Sequence, residues 1–278
     1  MTLAFTIPCA DAEYINGDLR IPKQNNVPLI FILHGFKGFK DWAFFPYVAE
    51  ELTKAGAITV CANTSHNGHK PGSDIVDYPD KFAQNTIGRE LSDTTLLIKS
   101  FIEKSPHVFP EQWSDKWNGS IYILGHSRGG AIAILSAESI PAISKVALWN
   151  SIANVDRYTP RQKEQWHKND MFVVENSRTG QELCMNVDYL IDLELHAEQY
   201  SLERALSEMQ QNIIIVHGEQ DMTVNVRDAQ KLAQFAGNKA HIKFIPNTGH
   251  TFGAVHPMVD IPAGLIQALK STKEFFFQ

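Results

Sequence analysis

The sequence predicts an α/β protein with a mostly parallel, doubly wound sheet of about eight strands and helices on both faces. Short apolar runs alternate with longer amphipathic segments from residue 28 onward, which is the order of a parallel sheet joined by helical crossovers. The runs are almost uninterrupted by polar residues, as expected for strands buried on both faces. With 278 residues, 44% of them hydrophobic, the chain is long enough to bury a large core.

The individual elements follow from these patterns. The predicted parallel strands are PLIFILHG, AITVCANT, SIYILGHS, KVALWNS, NIIIVHGEQD and AHIKFIPN. Helical patterns occupy residues 41–55, 86–104, 128–139, 224–236 and 262–277. Near the start, LAFTIPC and YINGDLRIP indicate an antiparallel edge pair that extends the sheet.

The alternation breaks once, between Ser151 and Met209. Two strands that one short crossover would normally join are far apart there, which indicates an insertion. Within it, MFVVENSRTGQELCMNVDYL predicts a hairpin that turns at residues 177–180, flanked by helices near RQKEQWHK and VDYLIDLELHAEQ. We therefore expect a core of residues 1–151 and 210–278 and an inserted cap subdomain of residues 152–209.

Composition excludes several classes of protein. The formal net charge is −6 with both signs mixed along the chain, so nothing indicates binding to nucleic acid or to an anionic membrane. No segment has the length and apolarity of a membrane helix, and the first residues lack the pattern of a secretory signal. The three cysteines are far apart in sequence, which argues against a disulfide framework. We expect a cytoplasmic monomer or homodimer that acts on a small molecule.

The most informative motif is GHSRGG at residues 125–130, which places G-x-S-x-G between a predicted strand and a predicted helix. A serine on such a sharp turn exposes its hydroxyl, and the flanking glycines relieve crowding of the strained backbone. The helix that begins at Arg128 directs free N–H groups toward the same point. Ser127 is thus a candidate nucleophile, although a helix-capping serine beside packing glycines is the alternative.

A serine nucleophile needs a base, and the base needs an acid that fixes its tautomer. Both should follow later strands at the sheet edge where Ser127 emerges. Asp221 follows one such strand and His250 follows the next. The alternatives for the base are His256, in the same loop, and less favourably His217 and His241; those for the acid are Glu219 and Asp156.

The loop HGFKG at residues 34–38 follows the first predicted parallel strand. Its Phe36 N–H and the N–H of Arg128 are the expected pair of donors for a developing oxyanion. We expect the substrate pocket to involve Lys37, Phe39, Trp149, Ile152 and Trp166. His66 and His69 form H-x-x-H without a third ligand at a recognisable spacing, and no glycine-rich phosphate loop follows any strand, so neither a metal nor a cofactor is expected.

Together, HGFKG, GHSRGG, HGEQD and NTGH resemble the α/β-hydrolase superfamily over residues 28–277. The order Ser127, Asp221, His250 is the nucleophile, acid, base order of that superfamily. The oxyanion loop and the inserted cap are similar to those of carboxylesterases of the cinnamoyl and feruloyl type, and also to serine-aminopeptidase-like and dienelactone-hydrolase-like members. The chain departs from dienelactone hydrolases in having serine as nucleophile, and the large charged Arg128 beside that serine is a second departure.

This resemblance implies an ester hydrolase in which Ser127 is acylated and a water molecule, deprotonated by His250, then releases the acid. A thioesterase or an acyl-peptide hydrolase uses the same machinery and is the enzymatic alternative. A ligand-binding protein that kept the fold without turnover is the alternative from a different class.

Overall fold

A computed structural model describes all 278 residues. Its centre is an eight-stranded sheet in the order β1-β2-β4-β3-β5-β6-β9-β10. The strands are β1 (Thr2–Pro8), β2 (Tyr14–Arg20), β3 (Val27–Leu33), β4 (Ile58–Asn63), β5 (Trp117–His126), β6 (Ile143–Trp149), β9 (Asn212–Gly218) and β10 (Ala240–Ile245). The first two pair antiparallel, β2 pairs antiparallel with β4, and the other pairings are parallel. The six predicted parallel strands and the predicted edge pair are confirmed.

Helices connect these strands. They are α1 (Phe45–Lys54), α2 (Pro79–Ala83), α3 (Ile87–Ile102), α4 (Arg128–Ser139), α5 (Pro160–Asn169), α6 (Val187–Leu195), α7 (Leu202–Glu208), α8 (Val226–Ala236) and α9 (Ala263–Phe276). Single 3-10 turns lie at Pro106–Val108, Pro110–Gln112 and Gly237–Lys239. The helix predicted at residues 41–55 begins later, at Phe45, with a proline in its first turn, where proline is well tolerated.

The sheet has a separate hydrophobic core on each face because successive side chains of a strand point to opposite sides. In β3, for example, Leu29 and Phe31 belong to the larger core, whereas Ile30 and Ile32 belong to the smaller one. The predicted strands therefore alternate between two buried environments, which explains why they lack a polar face. Helices α1 and α9 cover the smaller core, and α3, α4 and α8 contribute to the larger one.

Between β6 and β9 the chain forms α5, a separate two-stranded sheet, α6 and α7. The small sheet is an antiparallel hairpin of β7 (Met171–Asn176) and β8 (Gln181–Asn186). Helix α7 was not predicted, since its segment LERALSE is short and mostly polar. It contacts α4 and α8, so the segment ends on the helices that flank the main sheet. No helix of the molecule is long and apolar enough to cross a membrane.

Candidate active site

Ser127 lies at the sharp turn between β5 and α4, with φ 57° and ψ −122°. A residue other than glycine adopts this backbone conformation only under strain. The turn is held by its neighbours: the Ser127 N–H donates to the Trp149 carbonyl (2.9 Å), and the Ser127 carbonyl accepts from Gly130 (3.0 Å). Ser127 lines a cavity at the carboxyl edge of the sheet.

Two glycines allow the loop after β3 to approach this turn. A Cβ atom on Gly35 would lie 2.9 Å from the Ser127 Cβ, and one on Gly129 would lie 2.4 Å from the His34 carbonyl oxygen. Both distances are shorter than van der Waals contact, so larger side chains would separate the two segments. The sequence HGFKG is thereby brought directly against the serine.

His250 and Asp221 form a hydrogen-bonded pair beside Ser127. His250 Nδ1 donates to Asp221 Oδ2 at 2.7 Å, while Oδ1 accepts the N–H groups of Thr223 (2.8 Å) and Val224 (2.9 Å). Burial of the Asp221 carboxylate opposes its ionisation, but the hydrogen bond from His250 and those from the backbone outweigh burial and hold its pKa below the ordinary value. The pairing leaves Nε2 of His250 for the cavity that the ring lines together with Ser127.

Two residues that the sequence did not single out hold the backbone of His250. Its carbonyl accepts hydrogen bonds from His126 Nε2 (2.8 Å) and from Asn150 Nδ2 (2.7 Å). Burial, and then the neighbouring His250, lower the pKa of His126 to about 3, so its ring is a neutral donor. Both residues end or follow a parallel strand at this edge of the sheet, and that position is the signal that could have revealed them.

The other histidines considered as the base contact other residues or lie in a strand. His256 lines the same cavity, but its Nδ1 accepts from the Ala43 N–H (2.8 Å) and its Nε2 lies 2.9 Å from Asp74. His217 is fully buried and donates from Nε2 to the Val224 carbonyl (2.9 Å). His241 lies in β10.

The alternative acids are likewise placed away from His250. Glu219 is exposed at the surface. Asp156 forms an ion pair with Lys163 of α5. Of the carboxylates considered from the sequence, only Asp221 contacts the His250 ring.

The two expected oxyanion donors, the N–H groups of Phe36 and Arg128, have no acceptor in the protein. They flank Ser127 from the β3 loop and from the first turn of α4. The Arg128 side chain is buried and forms an ion pair with Glu90, and its guanidinium lies 4.3 Å from the centre of the Phe36 ring. The side chain of one donor residue thus packs against the other donor residue.

The cavity at Ser127 has a volume of about 430 Å³. Only five of its sixteen lining residues are hydrophobic, which suits a small, partly polar ligand better than a long acyl chain. The β7–β8 hairpin supplies Asn176, Ser177 and Arg178. The sequence analysis places Ser177 and Arg178 in the hairpin turn and Asn176 in the strand before it, and predicts none of the three as a site residue.

Among the five residues expected in the pocket, Lys37 lines the cavity. The other four do not line it, so their prediction is wrong. Phe39 is buried behind it, against the rings of His69 and His256. Trp149 points into the smaller core and donates to Thr272 (2.8 Å). Ile152 and Trp166 belong to the larger core, because apolar bulk packs there away from water.

His66 and His69 do not converge on a common ligand. His66 Nδ1 lies 2.9 Å from the Ser65 hydroxyl, and His69 Nδ1 lies 3.4 Å from the Ser73 carbonyl. No group of three His, Cys, Asp or Glu side chains is arranged to hold a metal ion.

No model of a known protein family and no curated protein matches the sequence. Solved structures match over nearly the whole chain. Est1E from Butyrivibrio proteoclasticus with bound ferulic acid is 22% identical, with 99% of this chain and 98% of that chain covered and a TM-score of 0.73. The α/β-hydrolase domain-containing protein 10 from mouse is 12% identical, with 98% of both chains covered and a TM-score of 0.72.

The esterase domain of a Rhodothermus marinus protein is 15% identical, with 100% of this chain and 97% of that chain covered and a TM-score of 0.61. At these identities the likeness concerns the fold. Together with the eight-stranded sheet and its helices, it shows that the chain has the α/β-hydrolase fold.

Proposed function

We propose that this chain is a serine hydrolase that cleaves carboxylic esters through an acyl-enzyme on Ser127. The observation that carries the proposal is the meeting, at one cavity, of a strained serine and a histidine that is paired with a buried aspartate. The unpaired N–H groups of Phe36 and Arg128 beside the serine support it.

In this proposal His250 Nε2 accepts the proton of the Ser127 hydroxyl as Oγ attacks the ester carbonyl carbon. The N–H groups of Phe36 and Arg128 donate to the oxyanion of the tetrahedral intermediate. The intermediate collapses, the bond to the alcohol oxygen breaks, and His250 returns the proton to that oxygen. Water then repeats the sequence on the acyl-enzyme, which frees the acid and restores Ser127.

Asp221 keeps His250 in the tautomer that this cycle requires. A hydrogen on Nδ1, held by Asp221 Oδ2 at 2.7 Å, leaves the lone pair on Nε2. The ionised carboxylate also stabilises the imidazolium that forms during each proton transfer.

We further propose that residues 152–209 act as a cap and that the substrate is an ester of a small or aromatic acid. The hairpin residues at the cavity support the first point. The modest cavity volume, with Phe36, Trp42 and Phe45 among its lining residues, supports the second. The structural likeness to Est1E with bound ferulic acid agrees with an aromatic acid.

The test is hydrolysis of p-nitrophenyl esters from acetate to decanoate by the wild type and by Ser127→Ala. We expect turnover of the shorter esters and a loss of at least about a thousandfold in kcat on removal of the serine. Ser139→Ala, at the far end of the same helix, is the matched control and should retain wild-type rates.

Labelling with a fluorophosphonate distinguishes the alternative functions. A wild type that is labelled at Ser127 and cleaves matched thioesters or anilides but no ester would be a thioesterase or an acyl-peptide hydrolase. A wild type that is neither labelled nor active would contradict a hydrolase and favour a binding protein.

A further inference from the structure

Two cationic side chains line the candidate active-site cavity, and no carboxylate is among its lining residues. Lys37 belongs to the loop after β3, and Arg178 belongs to the turn between β7 and β8. The two charges come from different segments, one from the loop that carries the candidate oxyanion donor Phe36 and one from the β7–β8 hairpin.

Each of the two side chains donates one hydrogen bond to a backbone carbonyl of the other segment. Lys37 Nζ donates to the Glu175 carbonyl (2.8 Å), and Arg178 Nη2 donates to the Lys37 carbonyl (3.3 Å). The Arg178 guanidinium also lies 5.2 Å from the centre of the Phe39 ring. These are the only hydrogen bonds of the ammonium and the guanidinium, so most of their N–H donors have no partner in the protein.

The positive charge at this point is incompletely neutralised. Burial, and then the proximity of Arg178, lower the pKa of Lys37, and burial lowers the pKa of Arg178. The nearby carboxylates are Glu175 and Asp74. Glu175 is exposed, and Asp74 is 64% exposed at its side chain and lies 2.9 Å from His256. An anion in the cavity would relieve the repulsion and pair with the unused donors.

We propose that Lys37 and Arg178 form a subsite for an anionic group of the substrate. The preferred substrates are then esters whose acyl or alcohol part carries a carboxylate. This inference rests on the proposed esterase function and adds the class of substrate to it. A purely mechanical role, in which the two side chains only fasten the hairpin to the loop, predicts no such preference.

The test compares isosteric pairs of esters. Mono-p-nitrophenyl adipate is matched with p-nitrophenyl 6-methylheptanoate, in which an isopropyl group replaces the carboxylate of the acyl part. For the alcohol part, 4-acetoxybenzoate is matched with 4-acetoxyacetophenone. We expect a preference in kcat/KM of about tenfold or more for the anionic member of one pair, carried mainly by KM and reduced by added salt.

Arg178 is exposed, so its replacement should leave the fold intact. Arg178→Met should lower the ratio of anionic to neutral kcat/KM toward one, and Arg178→Glu should bring it below one. Lys231→Glu makes the same charge change on the exposed surface of α8 and should leave the ratio unchanged. Lys37→Met provides the corresponding test for the ammonium group.

The outcomes separate the two proposals. If the wild type hydrolyses both members of each pair at equal kcat/KM, or if Arg178→Glu leaves the ratio unchanged, the anionic subsite is refuted and the esterase stands. If a substitution lowers both members equally, the role is mechanical. If the wild type hydrolyses no ester at all, the proposed function itself fails.

Discussion

Arg128 combines two contributions at the scale of single residues. Its main-chain N–H is a candidate oxyanion donor, and its side chain lies under the ring of Phe36, whose N–H is the other candidate. The guanidinium is anchored by Glu90, which also accepts a hydrogen bond from Asn85 (2.7 Å). The large cation that departs from the expected motif therefore has a physical role in placing the loop after β3.

This role predicts the effect of Arg128→Lys. Lysine keeps the charge beside Glu90 but loses the planar group that stacks on Phe36. We expect kcat to fall about tenfold with a smaller change in KM, because the donor acts on the transition state more than on the ester. Steady-state kinetics on a neutral ester measures this effect.

A double-mutant cycle with Phe36→Leu shows whether the two side chains act together. Coupling of about 1 kcal/mol in the activation free energy is expected if the ring carries the effect of Arg128. If kcat is unchanged in Arg128→Lys and the effects of the two substitutions are strictly additive, the Arg128 side chain does not position Phe36 for catalysis and contributes only to the stability of the fold.

At the scale of elements, the β7–β8 hairpin contacts the main body through Leu183 and Met185, which are buried in the larger core, and through a few polar bonds. Gln181 of β8 both accepts from the Val76 N–H (3.0 Å) and donates to the Val76 carbonyl (2.9 Å). The bonds of Lys37 and Arg178 form a second attachment. Polar bonds of this kind contribute little net free energy each, so they add to the attachment that the buried Leu183 and Met185 provide.

Gln181→Ala removes both bonds to Val76 and should loosen the hairpin. We expect faster hydrogen exchange over residues 171–186 and a several-fold rise in KM, because the hairpin supplies one wall of the cavity. The neighbouring Glu182 is exposed and makes no hydrogen bond through its side chain, so Glu182→Ala is the control on the same strand. Equal exchange in both variants would show that Gln181 does not hold the hairpin.

The same elements show what sequence patterns predict and what they miss. The apolar runs were enough to predict the strands of the sheet, because a short run without a polar face fits few other elements. The positions of Ser127, Asp221 and His250 after strand ends were enough to predict that they lie at one edge of the sheet. The cavity walls were harder to predict. Trp149 and Trp166 are large and aromatic in either environment, and only the folded chain shows that they are buried in the cores.

Several polar residues of the candidate site were not predicted from the sequence. Asn150 and His126 are marked in the sequence only by their position at strand ends, and their hydrogen bonds to the His250 carbonyl join residues a hundred or more positions apart. Arg178 lies in the turn between β7 and β8, and no local sequence pattern specifies where that hairpin packs. Long-range contacts therefore determine the parts of the site that periodicity does not predict.

At the scale of the whole molecule, the fold buries several histidines in their neutral form. Burial is the first cause of the lowered pKa in each case, with values of about 3 for His126 and about 4 for His69, and His34 and His217 are lowered as well. In the unfolded chain these imidazoles have the ordinary value of about 6.5. The unfolded state therefore binds more protons than the folded state below that pH.

The folded state therefore loses stability as the pH falls. The stabilisation is complete above about pH 6.5 and is lost as the pH falls from there toward the folded pKa values, at up to about 1.4 kcal/mol per pH unit for each histidine. His126 and His69 alone then lower the free energy of unfolding by about 3 kcal/mol between pH 6.5 and 5. That loss is a large fraction of the stability of a typical domain.

Urea unfolding followed from pH 8 to pH 5 measures this dependence. We expect a plateau near and above neutrality, a steep fall below it, and a slope smaller by about one proton in His69→Gln, because that variant removes one titrating group. Asp221 should add to the loss only at lower pH, since its pKa is held below the ordinary value of 3.8. A free energy of unfolding that stayed constant down to pH 5 would show that the buried histidines accept protons in the folded molecule.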